Sequence, residues 1–161
     1  MKLETAYQLA NELMVQHNLS IAGWKFEFDN AKRRFGCCKY RTKRITLSAS
    51  LTKLNSEDKV KNTILHEIAH ALVGYSHGHD WVWQRKAIEI GCDGQRCYSD
   101  DTETPPSKYH AICVGCGKEH KRHKAPNIRK SASCGNCSGG RYNPTFKLNW
   151  VSNVTNQLSI S

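Results

Sequence analysis

Residues 66–91 read HEIAHALVGYSHGHDWVWQRKAIEIG, and the first five of them decide how the rest is read. His66 and His70 stand four residues apart inside an apolar run from Ile64 to Val73. On a helix that spacing puts two imidazoles on one face, a turn apart, where they can share a metal ion. Glu67 follows the first histidine and can reach water on that ion as a general base, an arrangement suited to peptide hydrolysis. Val60, Ile64, Ile68 and Leu72 form the apolar stripe; Ser56 is expected to cap the helix, Glu57 and Asp58 to sit in its first turn, and Gly74 to end it. A catalytic zinc takes three protein ligands and keeps a fourth position open. His77 and His79 both qualify as the third. His79 is preferred because it directly precedes Asp80, the expected cap of a second helix over residues 81–90.

Upstream, Leu3, Ala6, Tyr7, Ala10, Leu13, Met14 and His17 recur at helical steps, which predicts an amphipathic helix over residues 3–17. Trp24-Lys25-Phe26-Glu27-Phe28 alternates as a half-buried strand does, and Asp29-Asn30-Ala31 makes a turn. Two more short strands are expected near 34–40 and 44–47, completing a small antiparallel sheet. Downstream, the acidic, proline-bearing segment from Ser99 to Pro106 is expected to be a linker.

Beyond it lie two C-x₂-C knuckles, Cys113/Cys116 and Cys134/Cys137. Four thiolates at this spacing suit a closed tetrahedral zinc site, and a module this small depends on the ion for much of its stability. A last strand is expected within the tail that carries Phe146, Leu148, Trp150 and Val151. Cys37, Cys38, Cys92 and Cys97 are expected to be free thiols without a role.

The chain has 161 residues, 24 Lys+Arg and 14 Asp+Glu, for a net charge of +10. That charge is uneven: residues 1–60 carry +5, residues 61–105 carry −3 and residues 106–161 carry +8. Basic flanks point to a polyanionic partner. Between the knuckles, Lys118, Lys121, Arg122, Lys124, Arg129 and Lys130 are placed to neutralise phosphates. A second basic cluster, Lys32-Arg33-Arg34 with Lys39, Arg41, Lys43 and Arg44, contains Phe35 and Tyr40, whose rings are expected to face the core. No apolar run is long enough to cross a membrane, and Met1-Lys2-Leu3-Glu4 does not read as a secretory signal, so a cytoplasmic protein is expected.

On these residues the chain resembles the SprT-like zinc metalloproteases, the Spartan-related group. In that family a helical HExxH is followed by a third histidine, then Gly or Asp, with an aromatic four positions after the histidine. His79-Asp80 with Trp83 fits, and so does His77-Gly78 with Trp81. The resemblance covers about residues 1–145, with the N-terminal helix, the strands and the ribbon included.

The resemblance implies an α+β fold: a small zincin-like metalloprotease domain over residues 1–104, then a zinc ribbon and tail over 105–161. One catalytic Zn²⁺ would sit on His66, His70 and a third histidine, with Glu67 as base. The resemblance leaves that third ligand open, and the place of His79 before Asp80 favours His79. One structural Zn²⁺ would sit on Cys113, Cys116, Cys134 and Cys137. The implied activity is a zinc endopeptidase acting on DNA-bound or crosslinked proteins, the basic ribbon contacting single- or double-stranded DNA. The competing reading is a non-enzymatic nucleic-acid-binding protein with two structural zinc sites, the first closed by a fourth histidine.

Overall fold

The computed structural model describes residues 1–96, 102–127, 129 and 131–153. It divides into two units, Met1–Pro105 and Pro106–Ser161, each with its own cluster of buried apolar side chains. Cys97, the first part of the expected linker (Ser99, Asp100 and Asp101) and Lys130 lie outside the described residues. Among the described residues no helix is long and apolar enough to cross a membrane.

In the first unit, helix α1 (Leu3–Gln16) buries Ala6, Ala10, Leu13 and Met14, the face that its three- and four-residue spacing dictates. Three strands follow: β1 (Lys25–Asp29), β2 (Gly36–Lys39) and β3 (Arg44–Ser48). Their order is β1-β3-β2, with β1 parallel and β2 antiparallel to β3, so the sheet is mixed rather than antiparallel throughout. Burial explains the order. Residues Ile45 to Ser48 of β3 are buried on both faces, as a central strand must be, whereas β1 and β2 keep charged residues for the edges.

Helix α2 (Ala49–Leu54) begins where Ser48 Oγ accepts from Leu51 N at 3.2 Å. Helix α3 (Glu57–Val73) starts as expected, but Ser56 makes no side-chain cap. Glu57 and Asp58 instead place negative charge against its exposed N–H groups. Val60, Ile64 and Ile68 are fully buried, while Leu72, one turn from the end, is exposed. Gly74, at φ +88°, ends the helix in a conformation that L side chains avoid. Helix α4 (Trp81–Glu89) is capped by Asp80, whose carboxylate accepts from Val82 N and Trp83 N at 3.0 Å. Downstream, buried Asn55 donates to Glu103 O and accepts from Glu103 N, fastening the segment that leaves this unit.

The second unit is a three-stranded antiparallel sheet, ordered β5-β4-β6, from β4 (Tyr109–Ile112), β5 (Glu119–Arg122) and β6 (Val151–Ser152). Its core is small: Ala111, Cys113, Cys134 and Leu148, with Phe146 and Trp150 packed alongside. A one-turn helix, α5 (Gly135–Ser138), follows the second knuckle's first cysteine. The strand expected in the tail is confined to Val151–Ser152, because Pro144–Phe146 forms a 3₁₀ turn and Leu148 enters the core instead.

Asp29 ties the sheet to its turn. Its carboxylate accepts from Ala31 N at 2.9 Å, from the Thr46 hydroxyl at 2.9 Å and from Arg34 at 2.5 Å. Burial raises its pKa, but these three donors outweigh burial and hold it below the usual 3.8. A lowered carboxylate adds stability that is complete above its unfolded value and lost as the pH falls through its folded value. Asp29→Asn is therefore expected to lose about 2 kcal/mol of stability at neutral pH. Its deficit relative to the parent should shrink as the pH drops below 3.8, read by urea unfolding across an acid series.

Candidate active site

Helix α3 carries His66, Glu67 and His70, and the loop from Gly74 to Asp80 carries His77 and His79. The structure brings His79 to the helical pair: its Nε2 lies 3.0 Å from His66 Nε2 and 3.1 Å from His70 Nε2. His77 turns away and directs Nδ1 to Asp80 Oδ2 at 2.8 Å, so no four-imidazole cluster forms among the described residues. Asp80 thus does two things, capping α4 and holding His77 aside. Trp83, 1% exposed, packs behind all three converging rings, with centroids at 4.6 Å from His66 and His79 and 5.2 Å, nearly parallel, from His70.

Three Nε2 atoms this close cannot satisfy one another. A neutral ring offers either a proton or a lone pair at that atom, so His79 completes at most one of its two contacts. Protonation is resisted: burial, then the neighbouring imidazoles, lowers His66 and His70 to about 4. Burial and then Arg96 lower His79. These neutral nitrogens could hold a metal ion. Tetrahedral zinc at about 2.0–2.1 Å from nitrogen separates its ligands by about 3.3 Å, close to the spacing present.

Glu67 is 7% exposed and packs beneath β2. Burial pushes its carboxyl up to about 8, against the Arg34 guanidinium and the Cys38 backbone N–H, which pull it down. The cleft above is walled by Arg34, Gly36, Cys38 and Tyr40 from the sheet side, with Arg96 at its rim. Cys38 stays a thiol, pushed up to about 12 by burial and then by the Glu67 and Cys37 charges. A more enclosed hollow of about 240 Å³ adjoins His66 and Glu67 on the other side, lined by Asp58, Asn62, Asp93 and Gln95 among others.

The SprT-like family model matches residues 3–110. The chain belongs to the SprT-like family. A comparison with curated proteins returns no match. The SprT-like match includes α1, the mixed sheet, α3 and α4, and it stops before Cys113, so the cysteine module stands on its own geometry.

That geometry is closed. Cys113 Sγ lies 3.7 Å from Cys137 Sγ, and Cys116 Sγ lies 3.7 Å from Cys134 Sγ. A disulfide needs about 2.05 Å, whereas zinc bound to sulfur at about 2.3 Å spaces tetrahedral thiolates by about 3.8 Å. The four cysteines could hold a metal ion as a second group. Backbone N–H groups, that of Cys116 first, already lower the Cys113 thiol to about 7. Of the other cysteines, Cys37, Cys38 and Cys92 are free.

Gly36 gives the SprT-like site a residue that sequence reading missed. A Cβ there would lie 2.6 Å from Glu67 Oε1 and 2.7 Å from Glu67 Cγ. Its backbone is ordinary strand, so only the Glu67 side chain demands glycine. Gly36→Ala is expected to cost about 1–3 kcal/mol while Glu67 is present. In a Glu67→Ala background the same change should be neutral or add about 0.4–1 kcal/mol. A double-mutant cycle by urea unfolding reads this coupling.

Proposed function

We propose that this chain is a zinc endopeptidase that cuts proteins held on nucleic acid. The observation that carries the reading is the convergence of three imidazole nitrogens beside a buried carboxylate, in a cleft left open above them. A purely structural site gains nothing from a carboxylate there and favours a fourth protein ligand, which His77 does not supply.

His66, His70 and His79 would hold the ion, and Trp83 fixes their rings from behind. Zinc in that position supplies Lewis acidity, acidifying water and polarising a carbonyl oxygen. Glu67, adjoining the first ligand, would be drawn back to its ionised form by the cation's charge, against the burial that raises it. It would then take the proton from the attacking water and pass it to the departing amine. Gly36 leaves room for that side chain, and the Cys38 N–H orients its carboxylate. This arrangement and the SprT-like match support a zincin-like architecture for the first unit.

The ribbon would take a second, structural zinc on Cys113, Cys116, Cys134 and Cys137. Residues 106–161 carry a net charge of +8, and exposed or half-exposed Lys118, Lys121, Arg122 and Lys124 would contact the nucleic-acid backbone without reading its sequence. Recruitment to DNA would confine proteolysis to DNA-bound proteins and spare others. A cytoplasmic or nucleoid setting belongs to the same proposal.

Glu67→Gln is expected to keep its zinc and its fold while proteolysis of a basic DNA-binding protein, assayed with and without DNA, falls roughly 10²- to 10⁴-fold. His70→Ala should lose the ion of the first unit and keep that of the ribbon, halving zinc per chain by elemental analysis. Undiminished cleavage by purified Glu67→Gln overturns the assignment.

A further inference from the structure

We propose that Asn62 and Asp93 are positioning residues for the histidine cluster: together they hold the Gln95 carbonyl against His66 and so fix which ring nitrogen His66 offers to a metal ion. The inference rests on the zinc reading above and deepens it.

The first observation is a column on α3. Asn62, His66 and His70 follow one another at steps of four, so Asn62 stands one turn before the first imidazole on the same side of the helix. Its amide makes two bonds to a single residue. Nδ2 donates to Asp93 Oδ2 at 2.9 Å, and Oδ1 accepts from Asp93 N at 2.9 Å. The other carboxylate oxygen of Asp93 accepts from Gln95 N, also at 2.9 Å. The backbone from Asp93 to Gln95 is thereby closed into a turn and clipped to α3. Helix α4 holds the same turn from its other end. Buried Cys92 donates its N–H to Ala87 O at 2.9 Å. Gly94, at φ +68°, lies so near Ile88 that a Cβ there would meet its Cγ1 at 3.0 Å.

The second observation is where that turn delivers Gln95. Gln95, Asn62 and Asp93 line one hollow with His66. Burial and then His79 lower the His66 pKa, while the Asp93 charge and a hydrogen bond to the Gln95 backbone oppose them. A bond that favours the charged ring is one that the ring donates, so its partner is the Gln95 carbonyl. His66 Nε2 is already turned to His79 Nε2 at 3.0 Å, which leaves Nδ1 as the donor. A neutral imidazole carries one proton. With that proton held on Nδ1, the lone pair stands on Nε2, the atom that faces the other two histidines. The Asp93 charge acts on His66 as well, so tether and charge are separated through Asn62, which carries no charge.

The test is the zinc affinity of the full chain, by competition with a chelating dye, with the four-cysteine site as internal reference. Asn62→Ala is expected to weaken the histidine site about tenfold, at the low end of what outer-shell changes cost, and to leave the ribbon site unchanged. Asp93→Ala should weaken it at least as much. Adding Asn62→Ala to Asp93→Ala should cost nothing more, since the two residues act as one clip. A second readout is nitrogen-edited NMR of the zinc-loaded chain, in which the His66 Nδ1–H should appear as a slowly exchanging imidazole proton. In Asn62→Ala it should exchange about tenfold faster while the rings of His70 and His79 keep their signals. A tether that only stabilised the fold would lower the melting midpoint and leave that proton as it was. Parent-like zinc affinity in Asn62→Ala, or an unaltered His66 proton, overturns the proposal; if Asp93→Ala alone then weakens the site, charge is what acts. A parent chain that binds no zinc at its histidines overturns the metal reading itself, and this proposal with it.

Discussion

Three imidazole nitrogens aimed at one point, each with a lone pair and none readily protonated, are mutually unfavourable until a cation joins them. The surrounding structure is arranged to keep them there. Helix α3 supplies two rings at fixed spacing and surrounds them with buried Ile64, Leu65, Ile68 and Ala69. The third arrives from a loop whose freedom ends at Asp80, because the cap of α4 begins one residue later. Trp83 then fills the space behind, so the rings can separate only if the packing of α3 against α4 loosens. The helix, the cap and the tryptophan each have a packing role of their own. Together they hold His66, His70 and His79 at one point.

Much of this was legible because it is local. The extent of α3, its end at Gly74 and the cap at Asp80 each depend on residues within a turn or two of one another. The choice between His77 and His79 was harder, since either places a tryptophan four positions on. A contact three residues long, His77 to Asp80, accounts for where each ring points. Features set by distant residues left little trace in the sequence. The central place of β3 between β1 and β2 follows from the burial of Ile45 to Ser48, and the need for glycine at 36 comes from a side chain thirty-one positions away. Ser56 looked like a cap and is not one, while Ser48, just past the strand expected near 44–47, is. Of the two aromatics in the basic cluster, Phe35 is buried as expected, whereas Tyr40 is only half-buried and lines the cleft.

The two donor clusters differ in ways that bear on their chemistry. Four sulfurs surround their centre on all sides and leave no corner for a reactant, which suits an ion that holds a small module together. Three nitrogens leave one side open, facing a cleft lined by Arg34, Tyr40 and Arg96. The family match reaches only the nitrogen cluster, so the sulfur cluster is argued from spacing and distance alone. Both clusters suit zinc-type coordination, with different donor atoms from separate sets of residues.

The stacking of Trp83 on His70, with ring planes 26° apart, has an optical corollary. Its indole is buried, and its Nε1 has no hydrogen-bond partner. Its emission should therefore sit at the blue edge of the signal from the chain's four tryptophans. Any charge brought to the imidazoles lies within a ring's width of that chromophore. Filling or emptying the cluster would therefore change the protein's own fluorescence, making Trp83 a built-in gauge of metal loading that needs no label.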